Sequence, residues 1–313
     1  MKTILILGGH GFIGSNVLNY IDNYLSDFYN VILFNKSENH PYGVKFNCNY
    51  KSYHGDFSDV ASLKSIFIEN KIDIVFHFIS TTTPATSSNI LYDIKSNLIA
   101  TIEFVNLMVA FNVKDIVYLS SGGSVYGKNS KKNSETSLTQ AKSSYGIVKL
   151  AIEKYLMMFA DRGQIRPLIL RLSNPYGPYH YSMEQGVINI ALRAALKKNN
   201  FSVWGNGENS KDYIYIEDFV EILFKLIDSN INNQILNVGS GNLVSINNIL
   251  SHITNIYPKF SWNFIKAKNH DILHFELELT KLKSLIGNHS FTSIEDGIIK
   301  TNKWLKNHIN SDM

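Results

Sequence analysis

Two stretches of this sequence combine residue types and spacings that chemistry can use. In Tyr145-Gly146-Ile147-Val148-Lys149 a phenol and an ammonium stand at i and i+4, on one face of a helix. Far upstream, Gly8-Gly9-His10-Gly11-Phe12-Ile13-Gly14 follows a short apolar run and opens an amphipathic repeat. That is the setting of a dinucleotide-binding turn. Gly8 permits the tight turn, Gly11 lets the backbone approach a pyrophosphate, and Gly14 lets helix and strand pack closely while the helix N-terminus faces the phosphate charge. The Lys149 ammonium and a positively charged nicotinamide both favour the phenolate, so Tyr145 can act as a base well below its ordinary pKa of about 10. His10 reads as a loop residue near phosphate rather than a catalyst.

The end of the second apolar run normally carries an acid that holds the adenosine ribose hydroxyls. Here it is Asn35, followed by Lys36. Asn can still bond a ribose hydroxyl, but without a carboxylate a 2′-phosphate is not repelled and Lys36 can attract one, which leaves both NAD and NADP open. Asp56, in His54-Gly55-Asp56-Phe57, either accepts from the adenine amino group or caps the helix that carries Leu63 and Ile66.

Such residues need a rigid frame, and the apolar pattern supplies one. Short runs at 4–7, 31–34, 72–76, 116–119, 168–170 and 235–238 alternate with helix-length segments, the pattern of buried parallel strands in βαβ units. Ile13, Val17, Tyr20, Ile21, Tyr24, Leu25 and Phe28 repeat at three and four and mark the first helix. The expected fold is α/β: a Rossmann-type, doubly wound parallel sheet built from 1–172 and a return at about 211–240. After Arg171 the pattern loosens through Asn174-Pro175-Tyr176-Gly177-Pro178, a helix at about 186–198 and the turn-rich Trp204-Gly205-Asn206-Gly207. A smaller, discontinuous C-terminal substrate lobe, about 173–210 and 241–313, is expected to share one cleft with the first lobe.

At 313 residues, with 44% hydrophobic and 18% charged residues, the chain has the composition of a globular protein with a sizeable core. The net charge of +4 is dispersed. Its densest basic stretch, Lys128 with Lys131 and Lys132, is interleaved with Asn and Ser and reads as a solvated loop, not a nucleic-acid surface. A single cysteine, Cys48, excludes an intrachain disulfide framework and a cysteine metal site, as in a reducing cytoplasm. No window approaches the ~18 uninterrupted apolar residues of a membrane span, so a soluble, cytoplasmic protein is expected. The histidines show no metal spacing, and His77 reads as a core histidine. Gly-x-Ser-x-Gly is absent from the strand ends.

The combination of motifs resembles the extended short-chain dehydrogenases/reductases, specifically the NAD-dependent epimerase/dehydratase group acting on nucleotide sugars. The resemblance spans essentially the whole chain. It is carried by the glycine turn, Val75-Phe76-His77-Phe78, Ser120-Ser121 through Val125-Tyr126-Gly127, and Tyr145 with Lys149. Further along come Arg171-Leu172-Ser173-Asn174-Pro175-Tyr176-Gly177, Lys211-Asp212-Tyr213-Ile214-Tyr215-Ile216-Glu217-Asp218 and Asn237-Val238-Gly239-Ser240-Gly241.

The resemblance implies that Tyr145 is the catalytic base and that Lys149 holds the nicotinamide ribose and lowers the tyrosine pKa. It implies cofactor contacts from the turn residues Gly8, Gly11, Phe12, Ile13 and Gly14, from Asn35, Lys36, Asp56, Phe57 and Phe78, and from Asn97 and Pro175. It puts Asn174 on the substrate diphosphate and Val203, in Phe201-Ser202-Val203-Trp204, along the nucleotide base. The cofactor it implies is NAD, with NADP not excluded, and the partner a nucleotide-diphosphate sugar. Three departures from the family pattern stand out. Gly122 occupies the place of a serine or threonine that helps Tyr polarise the sugar hydroxyl, so Ser124, Ser121 or a hydroxyl among Thr81, Thr82 and Thr83 must supply it. Ser124 is preferred, because Ser121 should point to the other side of an extended strand end. Lys211 and Lys268 stand where two arginines clamp the diphosphate, replacing forks with point charges. Asn35 replaces the ribose acid.

The expected reaction removes the sugar C4 hydride and hydroxyl proton, giving a 4-keto sugar. Reduction on the other face makes a 4-epimerase, and release of the ketone a 4-dehydrogenase. An NADP-dependent 4-ketoreductase or a catalytically weak dinucleotide sensor is the alternative, whereas Gly123-Ser124 replaces the Asp-Glu pair of the 4,6-dehydratases. Leu98, Val105, Met108, Ile147, Leu150 and Leu156 exceed one helical stripe, which suggests a homodimer.

Overall fold

The computed structural model describes residues 1–127, 132–266 and 274–309. The chain begins with β1 (Lys2–Leu7) and α1 (Phe12–Tyr20), which continues as a π-helical turn at Ile21–Leu25 before β2 (Tyr29–Asn35). Next come β3 (Tyr50–His54), α2 (Val60–Glu69) and β4 (Ile74–His77). One helical stretch combines α3 (Ile90–Asp93), a π-helical segment Ile94–Ile99 and α4 (Ala100–Ala110). Strand β5 (Asp115–Ser121) passes directly into the short helix α5 (Gly122–Val125), and α6 (Ser144–Asp161) leads to β6 (Arg166–Leu172). The remainder starts with β7 (Asn174–Tyr176), α7 (Val187–Leu196), β8 (Phe201–Trp204), β9 (Ser210–Tyr215), α8 (Ile216–Asp228) and β10 (Gln234–Val238). It ends with β11 (Leu243–Ser245), α9 (Ile246–Ile256), β12 (Trp262–Ile265), β13 (His274–Phe275), α10 (Thr280–Ile286) and α11 (Ile294–Ile309).

The large sheet has seven strands in the order β10-β6-β5-β4-β1-β2-β3. The pairings β1–β2, β1–β4, β2–β3 and β4–β5 are all parallel, and the strand order reverses around β1, as in a doubly wound Rossmann-like α/β sheet. Ile4, Leu5, Ile6 and Leu7 are completely buried, because a central parallel strand is covered on both faces. That is why the sequence there runs apolar without alternating. Edge strand β3 escapes the pattern: Lys51, Ser52 and His54 are exposed, and no continuous apolar run marks it.

Two compact units emerge. The first comprises Met1–Gly127, Leu138–Arg171 and Phe224–Leu236; the second comprises Lys128–Ser137, Leu172–Leu223 and Asn237–Met313. This division differs from the expected one at 132–137, at Leu172, at 211–223 and at 237–240. For 211–223 the reason is pairing: β9 bonds β7, β11 and β13 and has no partner in the large sheet. In the first unit Leu5, Phe34, Phe57, Ile66, Phe104 and Leu156 belong to one apolar cluster. In the second, Ile188, Leu192, Val203, Ile249 and Leu305 form another. Val105, Met108 and Leu156, expected at a partner surface, are core residues of the first unit and so cannot serve there. No helix among the described residues is long and apolar enough to cross a membrane.

Candidate functional site

The glycine turn joins β1 to α1. Gly11 is the N-cap of α1 and no side chain caps it, so the helix N-terminus would face an anion with its backbone dipole unopposed by a capping side chain. Gly14 is fixed by space: a Cβ there would lie 2.3 Å from the Gly8 carbonyl oxygen and 2.6 Å from Gly9 Cα, both backbone atoms. The Ser15 hydroxyl donates to the Gly11 carbonyl at 2.7 Å and meets His40 Nε2 at 3.0 Å, tying helix to turn.

Asn35 ends β2 against this turn and is 4% exposed. Its Oδ1 accepts from the His10 backbone N–H at 2.7 Å, while its buried Nδ2 has no partner among the described residues. A donor left over at this place suits an oxygen-rich ligand. Lys36 beside it is exposed, as is Asp56, which accepts from the Ser58 N–H and hydroxyl at 2.9 and 2.6 Å. These bonds, with Lys36 adding to them, hold the Asp56 carboxyl below the usual range. The capping alternative for Asp56 is corrected: Asp59 caps α2, accepting from the Ala61 and Ser62 N–H groups. Phe57 also needs correction, since its ring is in the core against His77 and Phe104, and only its backbone remains for a ligand. Phe78 is half-buried next to Phe76.

Tyr145 and Lys149 lie in the first two turns of α6, capped by Ser143, whose hydroxyl accepts from the Gly146 N–H at 3.1 Å. Gly146 lets α6 approach α5, because a Cβ there would lie 2.6 Å from the Ser124 carbonyl oxygen. The backbone N–H of Tyr145 donates to Ser87 Oγ at 2.9 Å, and Ser87 donates to the buried Asp93 carboxylate. Burial pushes the Tyr145 phenol up to about 12, and its hydrogen bond with Ser121 works the other way. Lys149 is buried, donates to the Leu119 carbonyl at 2.8 Å and sits 4.9 Å from the Tyr118 ring and 5.7 Å from that of Tyr145. Burial lowers its pKa to about 8, and Glu153 opposes that fall.

The preference for Ser124 is therefore reversed. Ser121 is the hydroxyl that works against burial at the Tyr145 phenol, and it donates to Ser124 Oγ at 3.1 Å. Strand alternation fails as a guide because β5 ends at Ser121 and α5 begins at Gly122, so the four residues from 121 to 124 curl instead of extending. A small cavity beside Tyr145 is lined by Thr82, Asn97, Thr101, Tyr118 and Lys149. Asn97 is buried there, accepting from the Thr81 N–H at 2.8 Å and donating to the Thr81 hydroxyl at 2.6 Å. Thr82 is 6% exposed. His77 is a core residue bonded to Thr101 Oγ1 at 2.9 Å, and burial with the Lys149 charge drops its pKa to about 3. A larger open groove, ≈ 470 Å³, holds none of these residues; Lys2, Lys71, Asp73, Asp115 and Arg166 line it around the strands' opposite, N-terminal ends.

The spacing argument missed Glu153. It stands four residues after Lys149, completely buried, and accepts from Ser120 Oγ and from Arg171. The continuing i, i+4 step from Tyr145 through Lys149 was the available signal.

In the second unit, Asn174 Nδ2 donates to the Asp212 carbonyl at 2.9 Å, and Pro175 pairs with Ile214 in the β7–β9 register. Lys211 is half-buried on β9. Val203 is corrected: its side chain is 2% exposed and packs in the core, because on β8 it is Ser202 and Trp204 that face outward. Lys268 lies outside the described residues, as do Lys128 and Lys131. Lys132 pairs with Glu276 at 2.8 Å. Among the described residues no cluster of His, Cys, Asp and Glu could hold a metal ion.

A model of the NAD dependent epimerase/dehydratase family matches residues 4–239. The chain belongs to that family. It is an NAD-dependent enzyme of the extended short-chain dehydrogenase/reductase type. A dTDP-4-dehydro-6-deoxyglucose reductase of Escherichia coli is 30% identical over 80% of this chain and 80% of its own. A UDP-glucose 4-epimerase of Mycolicibacterium smegmatis is 25% identical over 98% of this chain and 99% of its own. The crystal structure of a Thermotoga maritima UDP-glucose 4-epimerase with UDP-glucose is 27% identical and covers 98% of this chain and 100% of its own, with a TM-score of 0.89. The residues of the first unit fit the family's dinucleotide: an uncapped helix N-terminus, a turn with no room for a Cβ at Gly14, and the unpartnered Asn35 amide.

Proposed function

We propose that this enzyme interconverts nucleotide-diphosphate sugars at C4 through a 4-keto sugar, with a UDP-hexose as substrate. The observation that carries the reading is the Tyr145–Lys149 pair, held on one helix face with the Lys149 ammonium 5.7 Å from the Tyr145 ring. Support for the UDP-hexose comes from the two UDP-glucose 4-epimerases above, each similar over nearly the full length of both chains.

In this reading the family's NAD supplies reversible hydride acceptance at the carbon that bears the reacting hydroxyl. Tyr145 takes the hydroxyl proton as the carbonyl forms and returns it to the carbonyl oxygen when the ketone is reduced on its opposite face. Burial opposes that role: even with the Ser121 hydroxyl working against it, the phenol stands at about 12. The Lys149 ammonium, 5.7 Å from the Tyr145 ring, and the positive charge that oxidised NAD would add both favour the phenolate and draw it down. Ser121 thus does the work that Gly122 cannot, and Ser124 steadies Ser121. Asn97 holds the Thr81–Thr82 backbone beside Tyr145. Asn174 and Lys211 bind the substrate diphosphate, and Asn35 the adenosine ribose.

A homodimer is part of the same proposal. Ile90, Leu91, Tyr92 and Ile99 on the α3–α4 stretch and Ile147 and Tyr155 on α6 are exposed apolar residues on two helices of the first unit. Light scattering is expected to return a particle of twice 35.5 kDa.

The test is to incubate the purified protein with NAD and UDP-glucose, follow the sugar by proton NMR, and follow absorbance at the reduced-cofactor band. A C4 epimer without net NAD reduction supports the epimerase. Stoichiometric reduction with a released ketone moves the reading to the dehydrogenase, and turnover only of 4-keto sugars moves it to the reductase, as the Escherichia coli relative's name would suggest. No turnover in either direction across UDP- and dTDP-hexoses overturns the reading.

A further inference from the structure

Behind Lys149, on the side away from Tyr145, α6 carries a third ionisable group on the same face. Tyr145, Lys149 and Glu153 follow at i, i+4 and i+8, and Glu153 is completely buried. Its Oε2 accepts from Arg171 Nη2 at 2.7 Å, its Oε1 from Arg171 Nε at 3.1 Å, and Ser120 Oγ also donates to Oε1. Arg171 is 2% exposed, and its Nη1 donates to Tyr126 Oη at 2.8 Å. The carboxylate is therefore held by a guanidinium fork and a hydroxyl, and nothing in the reaction above uses it.

We propose that Glu153, locked by Arg171 and Ser120, is a positioning residue that holds Lys149 protonated and in place beneath Tyr145. The proposal rests on the reading of Tyr145 and Lys149 as base and supporting cation.

Lys149 lacks a carboxylate partner within 4.0 Å among the described residues, so its ammonium has only the Leu119 carbonyl and the faces of two tyrosine rings. Burial favours the neutral amine, and a neutral amine cannot draw the phenol down. The groups that face Lys149 from its neighbours leave Glu153 as its counter-charge. Tyr118 on β5 is neutral, its pKa pushed well up by burial. His77 on β4 is neutral, its pKa driven down to about 3 by burial and by the Lys149 charge. Asp93 on α3 is committed to Ser87, which accepts from the Tyr145 N–H at the start of α6, and Lys95 and Glu103 on the adjoining helical stretch are exposed. Glu153 alone raises the Lys149 pKa against burial. A buried ion pair is weak evidence for stability, because well-packed apolar residues often serve as well or better. A carboxylate one helical turn from the working ammonium gives the pair another purpose.

The experiment titrates Lys149 directly and needs no substrate. Protein carrying ¹³Cε-lysine is followed by NMR from pH 6 to 10.5, and the Lys149 resonance is identified by its loss in Lys149→Met. The wild type is expected to titrate near about 8. Glu153→Gln keeps the shape, removes the negative charge and leaves the buried Arg171 guanidinium without its counter-charge, and is expected to lower the midpoint by about one pH unit or more. Ser120→Ala loosens the grip on the carboxylate and is expected to give a smaller shift in the same direction; it decides the matter alone if Glu153→Gln does not fold. Arg166→Gln breaks the exposed Arg166–Asp115 pair between β5 and β6 and is expected to leave Lys149 unmoved. An unmoved Lys149 midpoint in the folded Glu153 and Ser120 variants, or an equal shift in Arg166→Gln, overturns the proposal. Because turnover is not read, failure of the proposed sugar chemistry would leave this result intact, and the reverse holds too.

Discussion

Replacing Gly14 by alanine tests the cofactor turn through a single methyl group. The added Cβ would lie 2.3 Å from the Gly8 carbonyl oxygen, 2.6 Å from Gly9 Cα and 2.7 Å from the Gly9 carbonyl oxygen. None of these is the flexible end of a side chain, so the turn must move off the helix. Alanine gains up to ~1 kcal/mol over glycine inside a helix, whereas forcing a methyl group into a filled site costs about 1–3 kcal/mol, here at the upper end because backbone must give. The net loss is about 2 kcal/mol, or roughly 4–8 °C in the melting temperature of a body of 150–250 residues. Moving the turn also shifts the start of α1 away from the place proposed for the pyrophosphate. Losing one charge-assisted hydrogen bond, about 1.5–3 kcal/mol, weakens NAD binding by roughly 10- to 100-fold. Thermal unfolding by near-UV circular dichroism and NAD titration by calorimetry read the two effects. Gly123→Ala is the control, since a Cβ there meets nothing within 4 Å, and its stability is expected within about 0.5 kcal/mol of wild type. A Gly14→Ala protein with wild-type melting and wild-type NAD affinity would refute the reasoning.

Three further outcomes follow from the geometry. Ser121→Ala is expected to lower kcat by about tenfold or more, with a smaller loss for Ser124→Ala, because the Ser121 hydroxyl works against burial at the Tyr145 phenol whereas Ser124 only accepts from Ser121; equal losses, or the reverse order, in steady-state kinetics would contradict this. Asn35→Asp keeps an acceptor for the His10 N–H and replaces the unpartnered amide donor with a carboxylate oxygen. It is expected to raise the preference for NAD over NADP by about tenfold, a ~1.4 kcal/mol change read from the two dissociation constants; an unchanged ratio would count against the ribose assignment. The third concerns His77, whose folded pKa lies near about 3, below its unfolded value of 6.5. Its contribution to stability is complete above pH 6.5 and is lost as pH falls toward 3, at up to about 1.4 kcal/mol per pH unit. Urea unfolding from pH 7 to 4 is expected to show a flatter pH slope in His77→Asn than in wild type, and parallel slopes would refute the assignment.

The sequence carries the central architecture because β1, β2, β4 and β5 lie inside a sheet covered on both faces, so their apolar runs are continuous. Strand β3 is illegible for the converse reason: at the sheet edge it needs little apolar surface. The helix from 12 onward and the Tyr145–Lys149 face are local properties, set by a 3.6-residue period and a Ser143 cap. What local spacing cannot carry is the direction of side chains where one element becomes another. Ser121 and Ser124 show this at the β5–α5 junction. Val203 and Phe57 show a related failure, since a residue can belong to a binding segment while its side chain belongs to the core. Glu153 was legible as one more i, i+4 step, but its partners Ser120 and Arg171 come from other strands, and only the fold brings the three together. The unit boundary at Leu223 and Phe224 falls inside α8, where no change of sequence pattern marks it.

The proposed reaction is tested most directly by the fate of the hydrogen on the sugar carbon. UDP-glucose carrying deuterium at C4 is incubated with the protein and NAD, and the products are followed by proton and deuterium NMR. With wild type, the deuterium is expected to remain at C4 of the epimerised sugar, with none in water, and Tyr145→Phe is expected to slow its transfer by ~10²- to 10⁴-fold. Deuterium released to water, or a Tyr145→Phe enzyme as fast as wild type, would contradict hydride transfer assisted by Tyr145.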